Sequence, residues 1–279
     1  MSVDLRSNLA KAVRGLRRRL LRPRFTRSIR PDDVFVVTYP KSGTTWLAMM
    51  IANYLRPGEI DFTTYHHVVP DINYLQVRSG SLSRYDSSLP RRFFVTHSPF
   101  DRALKRVVYV IRDPRDVMVS YGNFWNQQHP DAKVDLTTFV REIPHYPCEW
   151  DEHVSGWMRR DDAGFLLVSY EQMTEDPAGV LTRVLSFAGL TPEEELVNAA
   201  VDATRFDRLK QLEEKWRQEN PDEVAGRSEE RFMRRGEAGG WRDEIDRHLV
   251  AELETRFGDV MERFGYRRSV SESAKTAEQ

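Results

Sequence analysis

Short apolar runs alternate with longer amphipathic stretches along the middle of the chain. A continuous apolar run such as VFVVT is typical of a strand that is buried on both faces. Runs of this kind predict strands at 34–38, 93–96, 107–111 and 165–168. Apolar positions at helical spacing predict helices at 46–55, 136–142, 148–160, 179–188 and 245–264. This alternation predicts a single α/β domain with a central parallel sheet flanked by helices.

The two ends of the chain and one internal segment break this pattern. Residues 1–31 place leucines at near-helical spacing between arginines, which predicts a basic extension outside the folded domain. Residues 269–279 are polar and predict a disordered tail, so the domain is assigned to 32–268. Within the domain, 209–235 is highly charged and contains Pro221 and Gly226, which predicts the end of a helix followed by a mobile loop.

The formal net charge of −1 averages over two very different parts of the chain. The first 30 residues contain ten Lys and Arg and one acidic residue, whereas the rest contains 32 basic and 42 acidic residues. A basic amphipathic arm can contact an anionic membrane surface or an acidic partner, although a solvated or body-docked extension is the alternative. The arm lacks interleaved aromatic residues and the body is acidic, so no nucleic-acid partner is expected.

Composition narrows the class of protein further. With 279 residues, of which 40% are hydrophobic, the chain can bury a core, and this excludes wholesale disorder. The single cysteine, Cys148, excludes an internal disulfide framework and fits a reducing compartment. No apolar run approaches the roughly 18 residues of a membrane-spanning helix. We therefore expect a cytoplasmic protein.

The densest chemistry lies in TYPKSGTTW, at 38–46, between the first predicted strand and the first predicted helix. At such a junction, backbone N–H groups and the helix dipole bind an anion. Gly43 lets the backbone approach a ligand, and Thr44 and Thr45 add hydroxyl donors. Lys41 supplies a mobile cation. This lysine precedes the glycine, so the loop does not match the triphosphate-binding pattern G-x-x-x-x-G-K-[ST].

This loop resembles the 5′-phosphosulfate-binding loop of the cytosolic-type sulfotransferases, which move a sulfuryl group from 3′-phosphoadenosine 5′-phosphosulfate to an alcohol, phenol or amine. RVVYVIRDPRDVMVSYGNF, at 106–124, is similar to the family's 3′-phosphate-binding strand and helix. FMRRGEAGGW, at 232–241, is similar to its C-terminal R-K-G-x-x-G-D-W block, with Gly240 in place of the usual Asp. The resemblance implies a P-loop-like fold for a sulfotransferase domain at 32–268. It also implies in-line displacement onto a small-molecule acceptor, adenosine 3′,5′-bisphosphate as product, and no metal.

The resemblance assigns roles to individual residues. The implied catalytic residues are His97 as general base, Lys41 as the cation at the leaving oxygen, and Ser120. The positions implied to bind the nucleotide donor are Lys41, Ser42, Gly43, Thr44, Thr45, Trp46, Arg112, Ser120, Tyr170, Thr204, Phe206, Arg234, Arg235 and Gly236. The aromatic residues of this set and Thr204 fall on the adenine side, where each could equally serve in packing.

His97 also stands out on its position alone. It directly follows a predicted strand, where open parallel sheets place their active-site crevice, and an imidazole can take a proton near neutral pH. Many family members carry a lysine two residues earlier, where this chain has Val95, so that cation is either dispensable or replaced by Lys41 and another residue. His153 falls where the family often places an acceptor-pocket histidine, but it could be a helix-surface residue. Residues 65–77 are expected to form part of the acceptor wall.

Two other functions stay open on the sequence. A kinase-like phosphotransferase of the same architecture would bind ATP with magnesium, and the order of lysine and glycine in the loop argues against it. A non-catalytic nucleotide-binding or membrane-recruited interaction protein would not need both His97 and Lys41. The loose grouping of His145, Cys148 and His153 lacks the ligands of a standard zinc site, so no metal is expected. The identity of the acceptor and the oligomeric state are left open.

Overall fold

The computed structural model describes residues 26–58, 60–62, 64–72, 88–220 and 234–269. Residues 1–25 of the predicted basic arm, residues 221–233 of the charged segment 209–235 that was predicted to contain a mobile loop, and residues 270–279 of the predicted tail 269–279 lie outside these ranges. Within them, the strands are β1 (Val34–Thr38), β2 (Phe93–Thr96), β3 (Arg106–Ile111) and β4 (Phe165–Ser169). They form a parallel sheet in the order β2-β1-β3-β4, which confirms the predicted α/β architecture.

Helices cover both faces of the sheet. They are α1 (Thr44–Leu55), α2 (Tyr65–Val68), α3 (Pro114–Gln128), α4 (Leu136–Glu142), α5 (Trp150–Trp157), α6 (Tyr170–Glu175), α7 (Pro177–Phe187), α8 (Glu194–Ala203), α9 (Phe206–Glu219) and α10 (Arg247–Arg263). Helix α6 is too short for an apolar period to reveal it, and a capping box between Ser169 and Gln172 begins it instead. None of these helices combines the length and the apolar character that crossing a membrane requires.

The central strand β1 divides the hydrophobic core into two layers. Val34 and Val36 pack with α1, α7 and α8 on one face, whereas Phe35 and Val37 pack with α3, α5 and α10 on the other. Every residue of β1 is buried, because side chains alternate between faces and both faces are covered. This explains why the strand is a continuous apolar run in the sequence.

The register of the sheet brings three strand ends to one edge. Val37 of β1 is paired with Thr96 of β2, and Thr38 pairs with Val110 of β3. The residues that follow these strands therefore emerge side by side at the carboxyl edge of the sheet. In open parallel sheets this edge forms the ligand-binding crevice.

Candidate active site

A cleft of about 390 Å³ opens at this edge. The predicted site residues that line it are Lys41, Gly43, Thr44, Thr45, Trp46, His97, Arg112, Ser120, Tyr170, Phe206, Arg234, Arg235 and Gly236. The remaining predicted residues, Ser42, Thr204 and His153, are not among the residues that line the cleft. Groups that are far apart in the sequence thus meet at one surface because β2, β1 and β3 are neighbours in the sheet.

The loop that connects β1 to α1 passes through two left-handed residues. Lys41 has a φ of 70° and Gly43 has a φ of 95°. A Cβ atom at Gly43 would lie 2.8 Å from Cδ2 of Tyr170, so a larger residue would clash there. No side chain in the described part of the chain caps the N-terminus of α1, and its first turn contains no acidic residue. The first N–H groups and the helix dipole are therefore available to an anion.

The ammonium group of Lys41 lies inside the cleft. Its Nζ atom is 4.5 Å from the centre of the Phe124 ring. Burial and the charges of Arg112 and Arg234 together lower the pKa of Lys41 to about 7, against an opposing effect of the Glu213 charge. The cation is therefore held in a site where it is only marginally stable without a bound anion, and an anionic ligand would favour its protonated form.

His97 is held in one tautomer by the end of β1. Its Nδ1 atom lies 2.9 Å from the carbonyl oxygen of Thr38 and 3.0 Å from the hydroxyl of the same residue, which also contacts the Thr44 hydroxyl. Because a carbonyl oxygen can only accept, Nδ1 carries the proton and Nε2 is left as the basic nitrogen. Burial lowers the pKa of His97, whereas the Thr38 carbonyl and the charge of Asp71 raise it and Lys41 lowers it. The imidazole is thus neutral near pH 7 and able to accept a proton.

Arg112 connects the loop after β1 with the C-terminal part of the cleft. Its Nη1 atom donates to the carbonyl oxygen of Lys41 and its Nη2 atom donates to the carbonyl oxygen of Glu237, each at 3.1 Å. Its guanidinium carbon lies 3.9 Å from the centre of the Tyr170 ring. These contacts fix the guanidinium at the cleft wall, where it can bind a phosphate.

Arg234 and Arg235 bring two further guanidinium groups to the cleft. Arg234 forms a two-pronged salt bridge with Glu244, with N–O distances of 2.7 and 2.8 Å. Arg235 lies 3.5 to 3.7 Å from carboxylate oxygens of Glu237, Asp243 and Glu244. The acidic partners hold the arginines in place and reduce the repulsion between them.

Asp116 on α3 secures the turn that follows these arginines, and sequence reasoning did not identify it. Its carboxylate accepts hydrogen bonds from the N–H groups of Gly239 at 2.7 Å and Trp241 at 2.9 Å. Gly239 adopts a left-handed φ of 80° and precedes a short 3₁₀ helix, Gly240–Asp243. This chain has Gly240 where the family usually has an aspartate, and the carboxylate of Asp116 on α3 holds the turn at that point.

Gly236 packs against the first residue of α9. It has a φ of 71°, and a Cβ atom there would lie 2.2 Å from Cδ2 of Phe206. The absence of a side chain thus permits contact between the C-terminal segment and an aromatic ring of the cleft.

Gly236→Ala is expected to weaken the binding of adenosine 3′,5′-bisphosphate by about tenfold, because relief of the clash moves Phe206 and the neighbouring arginines apart. Gly58→Ala is the matched control, since Gly58 has a φ of 81° but no atom within 4 Å of the position that a Cβ would take. Both variants bear the cost of a left-handed alanine, about 1–2 kcal/mol, so the control separates that cost from the clash, which only Gly236→Ala introduces. Calorimetric titration measures the difference, and equal affinity in the two variants would contradict this role for Gly236.

The three predicted site residues that do not line the cleft are all buried. Ser42 is fully buried in the loop below the cleft, and the Thr204 hydroxyl donates to the Ala200 carbonyl of its own helix at 2.9 Å. His153 is 1% exposed, so it is not a helix-surface residue. Both its ring nitrogens are used: Tyr109 donates to Nδ1 at 2.8 Å, and Nε2 lies 3.1 Å from the Ser98 carbonyl.

His153 therefore contributes to the site indirectly, through the backbone next to His97. Its hydrogen bond to the Ser98 carbonyl, together with one from Trp157 Nε1 at 3.0 Å, fixes the backbone immediately after His97. Burial lowers the pKa of His153 to about 4, which keeps the imidazole neutral in this position. Across the described ranges, no group of three or more His, Cys, Asp or Glu side chains is placed to hold a metal ion.

Several cleft residues were assigned no role from the sequence. Tyr121 and Phe124 lie within the motif at 106–124 and line the cleft from α3, and Phe124 follows Ser120 by four residues, a helical spacing. Asp71 also lines the cleft and lies in the segment 65–77 that was expected to form part of the acceptor wall, whereas Tyr146 reaches the cleft from the loop between α4 and α5.

Comparison with known proteins agrees with this geometry. A family model described as the sulfotransferase domain matches residues 31–265. Sulfotransferase 1C2 of Rattus norvegicus is 30% identical over 248 residues, which cover 83% of this chain and 82% of the relative. The amine sulfotransferase of Oryctolagus cuniculus is 27% identical over 248 residues, covering 84% of this chain and 81% of the relative.

A solved structure has the same fold. Mouse sulfotransferase SULT7A1, complexed with PAP, superposes with a TM-score of 0.63 at 20% identity, and the match covers 92% of this chain and 93% of that one. The match to the family model spans most of the chain and includes the loop after β1, β3 with α3, and the C-terminal block. All of these matches are described as sulfotransferases, and none is described as a kinase or as a non-catalytic binding protein. The chain therefore belongs to the sulfotransferase family, as the resemblance of its motifs predicts.

Proposed function

We propose that this sulfotransferase uses 3′-phosphoadenosine 5′-phosphosulfate as donor and a hydroxyl or amine of a small molecule as acceptor, with His97 as general base. The observation that carries the proposal is the convergence of the Lys41 loop, His97 and Arg112 on one cleft from three adjacent strand ends. The amine sulfotransferase among the relatives and the neighbour complexed with PAP support an acceptor and a donor of these classes.

The residues of the cleft fit a nucleotide with anionic groups at two positions. The N–H groups at the start of α1 offer one anion site, and the buried Ser42 hydroxyl beside them has no hydrogen-bond partner among the described residues. Arg112 and Ser120 offer the other site, and Nε of Arg112 likewise lacks a partner there. The donor supplies a sulfuryl group that is already bonded to a good leaving group.

The aromatic residues of the cleft suit the adenine of such a donor. The rings of Trp46 and Tyr170 lie with their centres 5.8 Å apart, and Phe206 lines the same cleft. Stacking on aromatic rings stabilises a bound base without the need for a specific hydrogen bond. We therefore keep these three residues as the adenine side of the site, and we assign Thr204 to packing.

In the proposed reaction, the protein removes one proton and neutralises one developing charge. As the acceptor oxygen attacks, Nε2 of His97 takes the hydroxyl proton. Nδ1 cannot do so, because it already carries the hydrogen that it donates to the Thr38 carbonyl. Lys41 stabilises the negative charge that develops on the leaving oxygen. Ser120 and Arg112 would hold the 3′-phosphate, which fixes the direction of the displacement.

Transfer of labelled sulfonate to a panel of hydroxyl and amine acceptors tests the proposed function. We expect turnover with at least one acceptor class and binding of adenosine 3′,5′-bisphosphate by calorimetry without added metal. Magnesium-dependent stabilisation by ATP, with none from the bisphosphate, would contradict the proposed donor.

The pH dependence of the reaction is expected to show both titrating groups. His97 acts as a base only when deprotonated, so its contribution is complete above its lowered pKa and lost as the pH falls through it, below 6.5. Lys41 acts only when protonated, so the donor kcat/KM is expected to fall as the pH rises through about 7. Bound donor anions raise the pKa of Lys41, which moves the basic limb of kcat to higher pH.

Lys41→Arg is the matched variant for this profile. A guanidinium stays protonated throughout the range, so the basic limb should disappear while the acid limb remains. Initial rates between pH 5 and pH 10 measure both limbs. A basic limb that persists unchanged in Lys41→Arg would show that Lys41 is not the group responsible.

A further inference from the structure

The backbone beside Arg112 is anchored by a carboxylate that lies outside the cleft. The next residue, Asp113, is 6% exposed, and its N–H group donates to Oε1 of Glu171 at 3.1 Å. Glu171 directly follows Tyr170, whose ring centre lies 3.9 Å from the Arg112 guanidinium carbon. Glu171 itself is not among the residues that line the cleft. One carboxylate thus joins the backbone next to Arg112 to the helix that carries its aromatic neighbour.

The same carboxylate binds the segment that follows α10. Its Oε2 atom accepts a hydrogen bond from the Tyr266 hydroxyl at 3.0 Å. The N–H group of Tyr266 donates to the Met261 carbonyl at the end of α10, also at 3.0 Å. Burial and the charge of Glu171 raise the pKa of Tyr266, so the phenol keeps its proton and remains a donor near neutral pH. Each oxygen of Glu171 therefore has its own donor, and the two donors come from distant parts of the chain.

A second set of contacts leads from this segment to Asp113. Ser269 donates to Oε1 of Glu254 through its N–H group and its hydroxyl, each at 2.9 Å. Nη1 of Arg115 donates to the same oxygen at 2.6 Å, and Nη2 of Arg115 donates to Oδ2 of Asp113 at 2.7 Å. The side chains of this network are at most 6% exposed, apart from Ser269, and a buried charge that lost its partner would be costly. Asp113 is therefore held at its N–H by Glu171 and at its carboxylate by Arg115.

The charges of the cleft explain why such an anchor matters. The charges of Arg112 and Arg234 lower the pKa of Lys41, which shows that the cations of the cleft repel one another. A bound donor relieves this repulsion, but Arg112 has to be held in place before the donor arrives. A guanidinium whose backbone is already fixed loses less conformational freedom on binding, and this favours affinity.

Resting on the proposed function, we propose that Glu171 and Tyr266 are positioning residues for the donor. They fix the backbone next to Arg112, so that its guanidinium meets the 3′-phosphate beside the Tyr170 ring. Neither residue lines the cleft, and both act through Arg112. The donor site thus depends on the segment after α10, at 265–269, as well as on the motifs that line the cleft.

Two nucleotides that differ only in the 3′-phosphate test this assignment. Adenosine 3′,5′-bisphosphate carries this group and adenosine 5′-monophosphate lacks it, and titration measures both dissociation constants. Glu171→Ala should weaken the binding of the bisphosphate by about 10- to 30-fold and that of the monophosphate by less than about threefold. A general loss of structure would weaken both nucleotides, so only a loss specific to the 3′-phosphate reports on Arg112. In turnover, the same loss should raise KM for the donor and leave kcat nearly unchanged.

Two milder variants keep the test independent of folding. Glu171→Gln retains an oxygen that accepts the Asp113 N–H and should keep the bisphosphate affinity within about threefold of the wild type. Tyr266→Phe removes only the hydroxyl and should weaken bisphosphate binding by about three- to tenfold. Tyr54→Phe is the matched control and should change neither affinity. Tyr54 is 9% exposed near the C-terminal end of α1, the end opposite the cleft, and its hydroxyl donates to the Thr191 carbonyl at 3.3 Å.

The outcomes separate the positioning role from the proposed function. Equal losses for the two nucleotides in Glu171→Ala, or unchanged bisphosphate affinity in both Glu171→Ala and Tyr266→Phe, would overturn the positioning role. If the wild type prefers the bisphosphate and these variants keep the full preference, the role is refuted and the proposed function stands. A wild type that binds both nucleotides equally would contradict the assignment of Arg112 to the 3′-phosphate and the positioning role with it.

Discussion

Replacement of His97 with Ala is expected to lower kcat by about 10²- to 10⁴-fold, the usual contribution of a positioned general base. The hydrogen bond from Nδ1 of His97 to the Thr38 carbonyl fixes the orientation of the ring and leaves Nε2 as its basic nitrogen. The affinity for adenosine 3′,5′-bisphosphate should change little, because the proposed anion-binding groups lie on the loop after β1, at Arg112 just after β3, and at Ser120 on α3. Single-turnover transfer and calorimetry on the same preparation separate the two effects.

The control for this variant is His248→Ala, which removes an exposed imidazole at the start of α10. It should retain the wild-type rate. The acid limb of the pH profile should also disappear in His97→Ala, since the group that titrates there is gone. A rate near that of the wild type, or an acid limb that survives the substitution, would show that another group takes the proton.

Lys41→Met is expected to have the second-largest effect, a decrease in kcat of about 10²- to 10³-fold. The reason is that the half-buried Lys41 side chain lines the cleft, where a charge that develops on the leaving oxygen is poorly screened. Methionine keeps most of the length and the apolar contact with Phe124 but removes the charge. Donors with leaving groups of lower basicity should be less affected, because less charge develops on them.

Lys215→Met provides the matched control, since that side chain is 69% exposed on α9. It should leave kcat unchanged. If Lys41→Met raised KM for the donor while kcat stayed the same, Lys41 would contribute to ground-state binding alone and not to the displacement step.

Sequence reasoning located the four strands because each contains a short, continuously apolar run. Strands β1, β2 and β3 are buried almost throughout, and β4, at the edge of the sheet, is largely half-buried. It also located the longer amphipathic helices to within a few residues at either end, such as Arg247–Arg263 against the predicted 245–264. It missed α2, α6 and α8, and of these α2 and α6, with four and six residues, are too short to show a clear helical period. The charge division separates the basic first 30 residues from the proposed site, because every residue assigned to the reaction lies beyond that basic arm.

The site was predictable to the extent that its chemistry is local. The loop at 38–46 carries its own geometry in a lysine, a glycine and two threonines, and His97 and Arg112 each follow a strand directly. The same reasoning placed Thr204 and His153 by resemblance, but both hydroxyl and imidazole satisfy their hydrogen bonds inside the protein. Whether a polar side chain faces a ligand or a neighbouring carbonyl depends on contacts between distant segments, which no local pattern reports.

The sequence by itself determined the α/β class and the family, and it singled out the loop at 38–46 and His97 as candidates for anion binding and proton transfer. These results follow from continuously apolar strands and from short motifs whose residues are neighbours in the chain. Only the tertiary structure decided that Asp116 holds the C-terminal turn, that His153 fixes the backbone after His97, and that Asp71 lies beside β2. Strand order β2-β1-β3-β4 is the physical reason, because it sets which strand ends are neighbours and so which charges share one cleft.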